Sequence, residues 1–180
     1  MPALVRPSAP LMASFIEALS EGYSRDTLRP ETPETIAAIA AAPDGFLGEL
    51  LNPPATLVLP DGTRGQRVPA TLLWWTDGDR WLGSIQVRHY LNAHLEQWGG
   101  HIGYAVRPSE RGKGHASAML AAMLDHVRAH LPRLTRVMLT ASQENPASCR
   151  VIEKNGGVLE RAIPHPWHDG EIGNRYGIAL

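Results

Sequence analysis

The sequence predicts an α/β fold with a mixed, mostly antiparallel central sheet and flanking helices. Residues 69–76 and 81–89 are rich in strand-forming residues and surround Asp77-Gly78-Asp79, a turn signal that indicates an antiparallel hairpin. Residues 101–106 supply a third antiparallel strand. The chain then continues as a helix, a strand, a helix and two short terminal strands, which places helices against the sheet.

The segment before the hairpin is predicted to hold one short strand and two helices. Residues 3–6 suit an edge strand, and Thr32-Pro33 has the N-cap and first-turn chemistry of the second helix, which runs to about residue 41. The first helix is predicted from apolar residues on one stripe: Leu11, Phe15, Ile16 and Leu19. Breaks at residues 44–45 and 52–54 surround a short apolar piece, so we expect this region to be rich in loops.

A basic glycine loop precedes the helix that follows residue 106. This helix carries apolar residues near helical spacing and stops at Pro132. The loop reads Arg-Gly-Lys-Gly-His-Ala over residues 111–116. Backbone N–H groups at a helix start favour an anion, and Arg111 and Lys113 add mobile cations beside them. The loop is therefore predicted to bind a pyrophosphate, with a plain polar turn as the alternative.

The glycines of the loop suit this role, whereas two other phosphate-binding motifs do not fit. Gly112 and Gly114 tolerate positive φ and let the backbone approach phosphate oxygens. A dinucleotide fingerprint requires a third glycine where this chain has Ser117, and it would follow the strand directly. A nucleotide P-loop requires serine or threonine after Lys113, where this chain has Gly114.

The pattern R-x-x-G-x-A at Arg111, Gly114 and Ala116 resembles the coenzyme A loop of the GNAT superfamily of acyl-CoA N-acyltransferases. The resemblance is strongest over residues 83–160. Its further parts are a strand at 136–142, a helix that begins at Asn145-Pro146 and a helix end at 152–157. Residues 88–92 and 99–104 also resemble one bacterial group of predicted acetyltransferases.

The resemblance implies a splayed-strand fold in which acyl-CoA lies between two parallel strands, here 101–106 and 136–142. At 180 residues the chain suits one core, so we expect a single GNAT N-acetyltransferase domain over residues 1–180. Pantetheine would add to the edge of the first strand through backbone hydrogen bonds. The family's cofactor contacts carry over to these residues: Tyr104, Ala105, Val106, Arg111, Gly112, Lys113, Gly114, His115, Ala116, Ser117, Asn145 and Ser148.

The catalytic residues are harder to assign. The backbone N–H near Tyr104 is expected to polarise the thioester carbonyl. The acceptor amine must lose a proton, yet Gly100 and Ile102 stand where many family members carry Glu or His. His89 is our first choice of base and Glu96 our second, although a surface or hydrogen-bonding role for His89 is a strong alternative. His101 lies on the opposite strand parity, which favours a structural role.

The leaving thiolate must gain a proton, and the family's usual donor is absent from this sequence. Many family members carry a tyrosine seven residues after the position of Asn145, and this chain has Ile152 there. Ser148 is a weaker candidate, because a residue in the first turn of a helix often bonds locally. Asn145 is also a good N-cap, a role compatible with cofactor binding.

Composition and spacing exclude several other classes. The chain has 17 basic and 18 acidic residues, so no net charge attracts nucleic acid or an anionic membrane. His165, His168 and Asp169 superficially resemble a metal-binding group. Pro166 and Trp167 between them indicate a loop, and we expect no metal there. The lack of a secretory signal pattern and of long apolar runs favours a cytoplasmic protein.

These observations predict an N-acetyltransferase that uses acetyl-CoA as the acyl donor. The acceptor would be a primary amine of a small molecule or a peptide, and it would attack directly in a ternary complex. The alternative is a catalytically degenerate module that binds or senses acyl-CoA, and a nucleotide-binding protein is a more distant one. The sequence allows a homodimer.

Overall fold

A computed structural model describes residues 1–25, 30–58, 62–166 and 168–180. Trp167, part of the predicted loop at 165–169, lies outside the described residues. The chain divides into two compact units. Unit 1 comprises Met1–Pro54, Leu72–Ile85 and Tyr104–Ala116, and unit 2 comprises Ala55–Thr71, Gln86–Gly103 and Ser117–Leu180. The organisation into a single domain stays a prediction.

The strands and helices follow the predicted order, with additions before residue 100. The strands are β1 (Ala3–Val5), β2 (Thr56–Val58), β3 (Arg64–Gln66), β4 (Ala70–Asp77), β5 (Arg80–Arg88), β6 (Ile102–Val106), β7 (Arg136–Ser142), β8 (Val158–Pro164) and β9 (Ile172–Ala179). The helices are α1 (Met12–Ser20), α2 (Pro33–Ala41), α3 (Pro43–Leu51), α4 (Ala93–Gln97), α5 (His115–His130) and α6 (Pro146–Lys154). Among the described residues, no helix combines the length and apolar character that crossing a membrane requires.

The strands in the described part of the chain form three sheets. One has the order β1-β4-β5-β6, a second is the hairpin β2-β3, and the third has the order β7-β9-β8. β1 pairs antiparallel with β4, and β9 pairs antiparallel with both of its neighbours. β6 and β7 therefore belong to different sheets, and an isolated bridge between Gly100 and Leu139 links β7 to the segment just before β6. The predicted α/β class with mostly antiparallel strands is confirmed.

The core of unit 1 is a cluster of aromatic side chains. Phe15 stacks on Trp74 with ring centroids 5.1 Å apart, and Tyr23 meets Trp81 edge-on at 4.6 Å. Each of these pairs adds about 1 kcal/mol beyond the burial of its rings. The apolar stripe of α1 thus forms because its residues face the tryptophans of β4 and β5, as the helical spacing predicts.

Four features differ from the prediction. The region expected to be rich in loops holds α3, because Pro43 occupies the first helical turn and Gly45 does not break the helix. The short hairpin β2-β3 and the short helix α4 are additional. In the β4-β5 hairpin only Gly78 and Asp79 lie between the strands, one residue fewer than predicted, and Gly78 has a φ of 60°.

A buried guanidinium fixes the end of β6 in unit 1. Arg107 is 3% exposed and donates to Glu21 at 2.5 and 2.8 Å, to Glu17 at 3.2 Å and to the Ser14 hydroxyl at 3.0 Å. The other Glu21 oxygen accepts from the backbone N–H of Ser109 at 3.2 Å. Hydrogen bonding to Arg107 lowers the pKa of Glu21 to about 2. The C-terminal end of α1 is therefore bonded to the segment that leads into the glycine loop.

Gly100 in unit 2 is required by its conformation and by its surroundings. Its φ is 66°, and a Cβ there would collide with the carbonyl group of Met138. The adjacent backbone N–H of His101 donates to that carbonyl at 2.7 Å. Arg88 donates to the Gly100 carbonyl at 2.8 Å. No larger residue fits at this bridge, which accounts for the absence of a family carboxylate at position 100.

We expect Gly100→Ala to lower the free energy of unfolding by about 3 kcal/mol, because it combines left-handed strain with a collision. Gly78→Ala is the matched control, since Gly78 also has a positive φ of 60° but nothing lies within 4 Å of a Cβ there. The control should lose about 1 kcal/mol. Urea unfolding measures both, and equal losses would contradict the collision at Gly100.

We expect Glu21→Gln to cost about 2 kcal/mol at pH 7, since it leaves Arg107 with less compensation. The folded-state pKa of Glu21 is lowered from 4.5 to about 2. Its contribution is therefore complete above pH 4.5 and lost as the pH falls toward 2. The difference from wild type should shrink between pH 5 and pH 3 in denaturant titrations.

Asp125→Asn is the control for this pH dependence. Asp125 pairs with Arg128 at 2.8 Å, but its side chain is 79% exposed, so its loss should change stability by less than about 0.5 kcal/mol. A Glu21→Gln difference that stays constant down to pH 3 would show that its carboxylate contributes nothing through its charge.

Candidate functional site

The predicted cofactor residues of unit 1 lie on a strand edge and on the loop that follows it. Tyr104, Ala105 and Val106 form the end of β6, all partly buried. β6 is the last strand in its sheet order. A strand at the end of a sheet can be extended by an amide chain through backbone hydrogen bonds.

The glycine loop has the backbone conformation expected of an anion-binding loop. Gly112 has a φ of 78° and Gly114 a φ of 86°, and all four residues from Arg111 to Gly114 are exposed. A Cβ at either glycine would meet nothing within 4 Å. Space within the protein would allow a side chain at both positions, so it is the positive φ that selects glycine there. The first part of the prediction, tolerance of positive φ, is confirmed.

The loop ends at the start of α5, where His115 and Ala116 are the first two residues. The helix contains 16 residues, so its first N–H groups and its dipole both favour a negative charge at this end. The Arg111 side chain makes one long contact, from Nε to the Val106 carbonyl at 3.4 Å. An exposed cation, two glycines of positive φ and a helix start thus occur together in unit 1.

The other cation of the loop, Lys113, is paired with a carboxylate. The Lys113 ammonium donates to Glu110 at 2.9 Å, and Arg80 donates to the second oxygen of the same carboxylate at 2.6 Å. Hydrogen bonds from Lys113 and Arg80 lower the pKa of Glu110, so the carboxylate is ionised. His115 accepts a hydrogen bond from Trp75 Nε1 at 3.3 Å. Two loop side chains are therefore held within unit 1.

The predicted cofactor residues of unit 2 lie at helix starts. The Asn145 side chain accepts from the backbone N–H of Ser148 at 3.1 Å, which confirms its role as an N-cap of α6. Ser117 lies in the first turn of α5, and its carbonyl accepts from Asn155 at 3.3 Å. Cofactor contacts of these residues stay predictions.

The two candidate bases, both in unit 2, have different surroundings. His89 Nε2 lies 2.9 Å from the Thr71 hydroxyl, and the His89 ring lines a surface cleft with Pro69 and Pro132. Glu96 is exposed on α4, where its backbone carbonyl accepts from Arg175 at 3.2 Å. His89 thus has a hydroxyl partner that could orient it, and Glu96 has an exposed carboxylate. The structure assigns neither of them as the base.

His101 has a structural role in unit 2. Its Nδ1 accepts from the backbone N–H of Met138 at 3.0 Å. Burial lowers the pKa of His101, and the nearby charges of Arg136 and Arg88 lower it further. The neutral ring therefore carries its proton on Nε2, and its basic nitrogen is occupied by the backbone.

The position that the family often gives to a tyrosine is filled by the core. Ile152 is fully buried, and a Cβ on Gly157 would collide with its side chain. An isoleucine packed in this way supplies no proton to a thiolate. Within the described ranges, no group of three or more His, Cys, Asp or Glu side chains is arranged to hold a metal ion.

Sequence reasoning missed two residues beside the loop, Arg107 and Glu110. Each is charged and buried, which residue type alone does not predict. The available signal for Arg107 was the pair Glu17 and Glu21, which lie four residues apart and so share one face of α1. The signal for Glu110 was its position three residues before Lys113.

Comparison with known proteins identifies the family. The acetyltransferase (GNAT) domain family matches residues 60–158, more than half of the 180 residues. No curated protein matches the sequence of this chain.

Solved structures of acetyltransferases share the fold. A GNAT-family acetyltransferase from Bacillus anthracis is 19% identical and has a TM-score of 0.66, covering 99% of this chain and 94% of that one. A spermidine N-acetyltransferase from Vibrio cholerae, solved with CoA and spermine, is 14% identical with a TM-score of 0.61, covering 99% and 95%. A ribosomal alpha-N-protein acetyltransferase, solved with coenzyme A, is 15% identical with a TM-score of 0.62, covering 99% and 94%. The fold and the matched domain agree, and the chain belongs to the GNAT acetyltransferase family.

Proposed function

We propose that this protein transfers an acetyl group from acetyl-CoA to a primary amine of a small molecule or a peptide. The amine attacks the thioester directly in a ternary complex. The observation that carries the proposal is the glycine loop, where Gly112 and Gly114 have φ values of 78° and 86° immediately before the 16-residue α5. That arrangement presents backbone N–H groups to an anion in a chain of this family.

The donor is bound mostly by backbone groups in this proposal. Pantetheine is an amide chain, and it extends the sheet by pairing with the edge of β6 at Tyr104, Ala105 and Val106. The pyrophosphate receives N–H groups from the loop and the start of α5, and Arg111 adds a charge-assisted contact. The contacts of Ser117, Asn145 and Ser148 belong to the same proposal. No metal takes part.

Acetyl transfer then requires carbonyl polarisation and three proton movements. The Tyr104 backbone N–H stabilises the oxyanion, a type of contact worth about 3 kcal/mol in acyl transfer. A base accepts the ammonium proton, the amine nitrogen bonds to the acetyl carbon, and that nitrogen releases its second proton to solvent as the carbon–sulfur bond breaks. The thiolate takes a proton from solvent, since its conjugate acid has a pKa of about 8.5 and Ile152 supplies none.

His89 is the proposed base, with Glu96 as the second candidate. The Thr71 hydroxyl 2.9 Å from His89 Nε2 supports the assignment, because a catalytic imidazole needs an oriented ring. The acceptor class stays broad. Similar folds occur in proteins described as acting on spermidine and on a ribosomal protein, which supports keeping small amines and peptides together. The cytoplasmic location and the homodimer stay predictions.

A catalytically degenerate module that binds or senses acyl-CoA is the second candidate. It is favoured by Gly100 and Ile102, which replace the family's acidic residue or histidine, and by the buried Ile152. Free-thiol release from acetyl-CoA across a panel of primary amines separates the two functions. Release above the background of acetyl-CoA alone supports the transferase, and binding without release for every amine and peptide tested favours the sensor.

We expect acetyl-CoA to raise the melting temperature of the wild type and not that of Gly114→Val. A ligand at 100 times its Kd stabilises the native state by about 2.7 kcal/mol, whereas valine at a φ of 86° prevents the loop from adopting its anion-binding conformation. Gly22→Val is the control, because Gly22 has a φ of 91° and open space but lies outside the loop. Retained binding by a folded Gly114→Val protein would contradict the assignment.

We expect His89→Gln to lower kcat by about 100-fold or more with little change in the Kd for acetyl-CoA, because a base acts on the amine. The pH profile of kcat/KM should lose its lower limb, which reports the base. His126→Gln, the same change on α5 outside the proposed site, controls for the loss of a ring. An unchanged rate and profile in His89→Gln would transfer the test to Glu96→Gln.

A further inference from the structure

Glu110 is a buried carboxylate directly before the glycine loop. It is the last residue of the turn Pro108–Glu110 and is 7% exposed. Carboxylates are seldom buried unless they are paired. The charge of Glu110 has the same sign as that of a pyrophosphate, so by itself the carboxylate repels this ligand. A buried carboxylate at this point therefore indicates another task. Its partners indicate that task.

The two oxygens of Glu110 join the framework of unit 1 to the loop. Oε1 accepts from Arg80 on β5 at 2.6 Å, and Oε2 accepts from Lys113 at 2.9 Å. His115 Nε2 lies 3.6 Å from the same Oε2. The side chains of Arg80 and Lys113 are 50% and 55% exposed, whereas that of Glu110 is 9% exposed. The carboxylate is therefore the buried centre of the group.

The ring of His115 lies between Trp75, which donates a hydrogen bond to it, and the carboxylate of Glu110. Its Nδ1 accepts from Trp75 Nε1 at 3.3 Å, so in the neutral ring the proton lies on Nε2, which faces Glu110. His115 is the first residue of α5. Its position fixes where the helix begins, and Lys113 is fixed two residues earlier. Gly114 lies between them with a φ of 86°.

We propose that Glu110 is a positioning residue of the cofactor loop, whose carboxylate holds Lys113 beside the start of α5 so that the N–H groups of the loop are ordered before the donor binds. The inference rests on the proposed function, because it takes the loop as the pyrophosphate site. A loop ordered in advance does not pay its ordering entropy on binding. Arg80 and Lys113 offset the charge of Glu110, so the gain in order exceeds the repulsion.

Two substitutions separate position from charge. Glu110→Gln removes the charge, and Glu110→Asp keeps it but withdraws the carboxylate by one methylene, so that Arg80 and Lys113 are no longer both within reach. We expect each to raise the Kd for acetyl-CoA by about tenfold in calorimetric titrations, equal to about 1.4 kcal/mol. Asp125→Asn makes the same charge change as Glu110→Gln on the exposed face of α5 and should leave the Kd unchanged.

A double-mutant cycle tests whether Glu110 acts through Lys113. Lys113→Met should raise the Kd by itself, and adding Glu110→Gln to it should raise the Kd by no more than about threefold, because the shared partner is already gone. A residue that merely stabilises the fold would lower the melting temperature without this coupling. Melting curves without ligand verify that each variant is folded, and Glu110→Asp, which retains the charge, serves if Glu110→Gln does not fold.

Three results would overturn the inference: Glu110→Gln binding acetyl-CoA as tightly as wild type or more tightly, Glu110→Asp binding like wild type, or fully additive effects of Glu110→Gln and Lys113→Met. Failure of the proposed function is a different result, since the wild type itself would then not bind acetyl-CoA. Wild-type binding together with an unaffected Glu110→Gln variant therefore rejects only the positioning role.

Discussion

The approach to the glycine loop depends on the burial of one guanidinium. Arg107 directly follows β6, with its side chain inside unit 1, and a buried charge is tolerated only when it is paired. The carboxylates that pair with it come from α1 and from the residue that caps its C-terminal end, far away in sequence. The aromatic cluster under α1 keeps that helix in place. The packing of α1 and the direction in which the chain enters the loop therefore depend on the same ion pairs.

Local chemistry made several elements predictable from the sequence. Thr32 caps α2, and Asn145 caps α6, as their positions before proline indicated. The apolar spacing of α5 and the glycines before it predicted both the helix and the positive φ values. β7 has the predicted bounds, Arg136–Ser142. Each of these signals lies within a few residues of the feature that it specifies.

The features that the sequence did not predict depend on contacts between residues that are distant in the chain. α3 contains two glycines and was predicted to be loop-rich, and packing against the core overrides the weak local propensity. Ile152 belongs to the core although the resemblance to the family implies a proton donor at this position. The roles of Arg107 and Glu110 were hidden because their partners lie on α1 and β5, and no sequence pattern pairs them.

At Gly112 and Gly114 the backbone is left-handed, so the loop presents main-chain groups and not side chains to an anion. The groups that the loop offers to an anion are amide hydrogens, and every residue type except proline possesses one. Replacing side chains by alanine leaves most of those hydrogens in place, so a conventional alanine scan would understate the importance of the loop. The function of the loop depends on its backbone conformation. Substitutions that restrict φ, and replacement of an amide by an ester, are therefore the changes that test it.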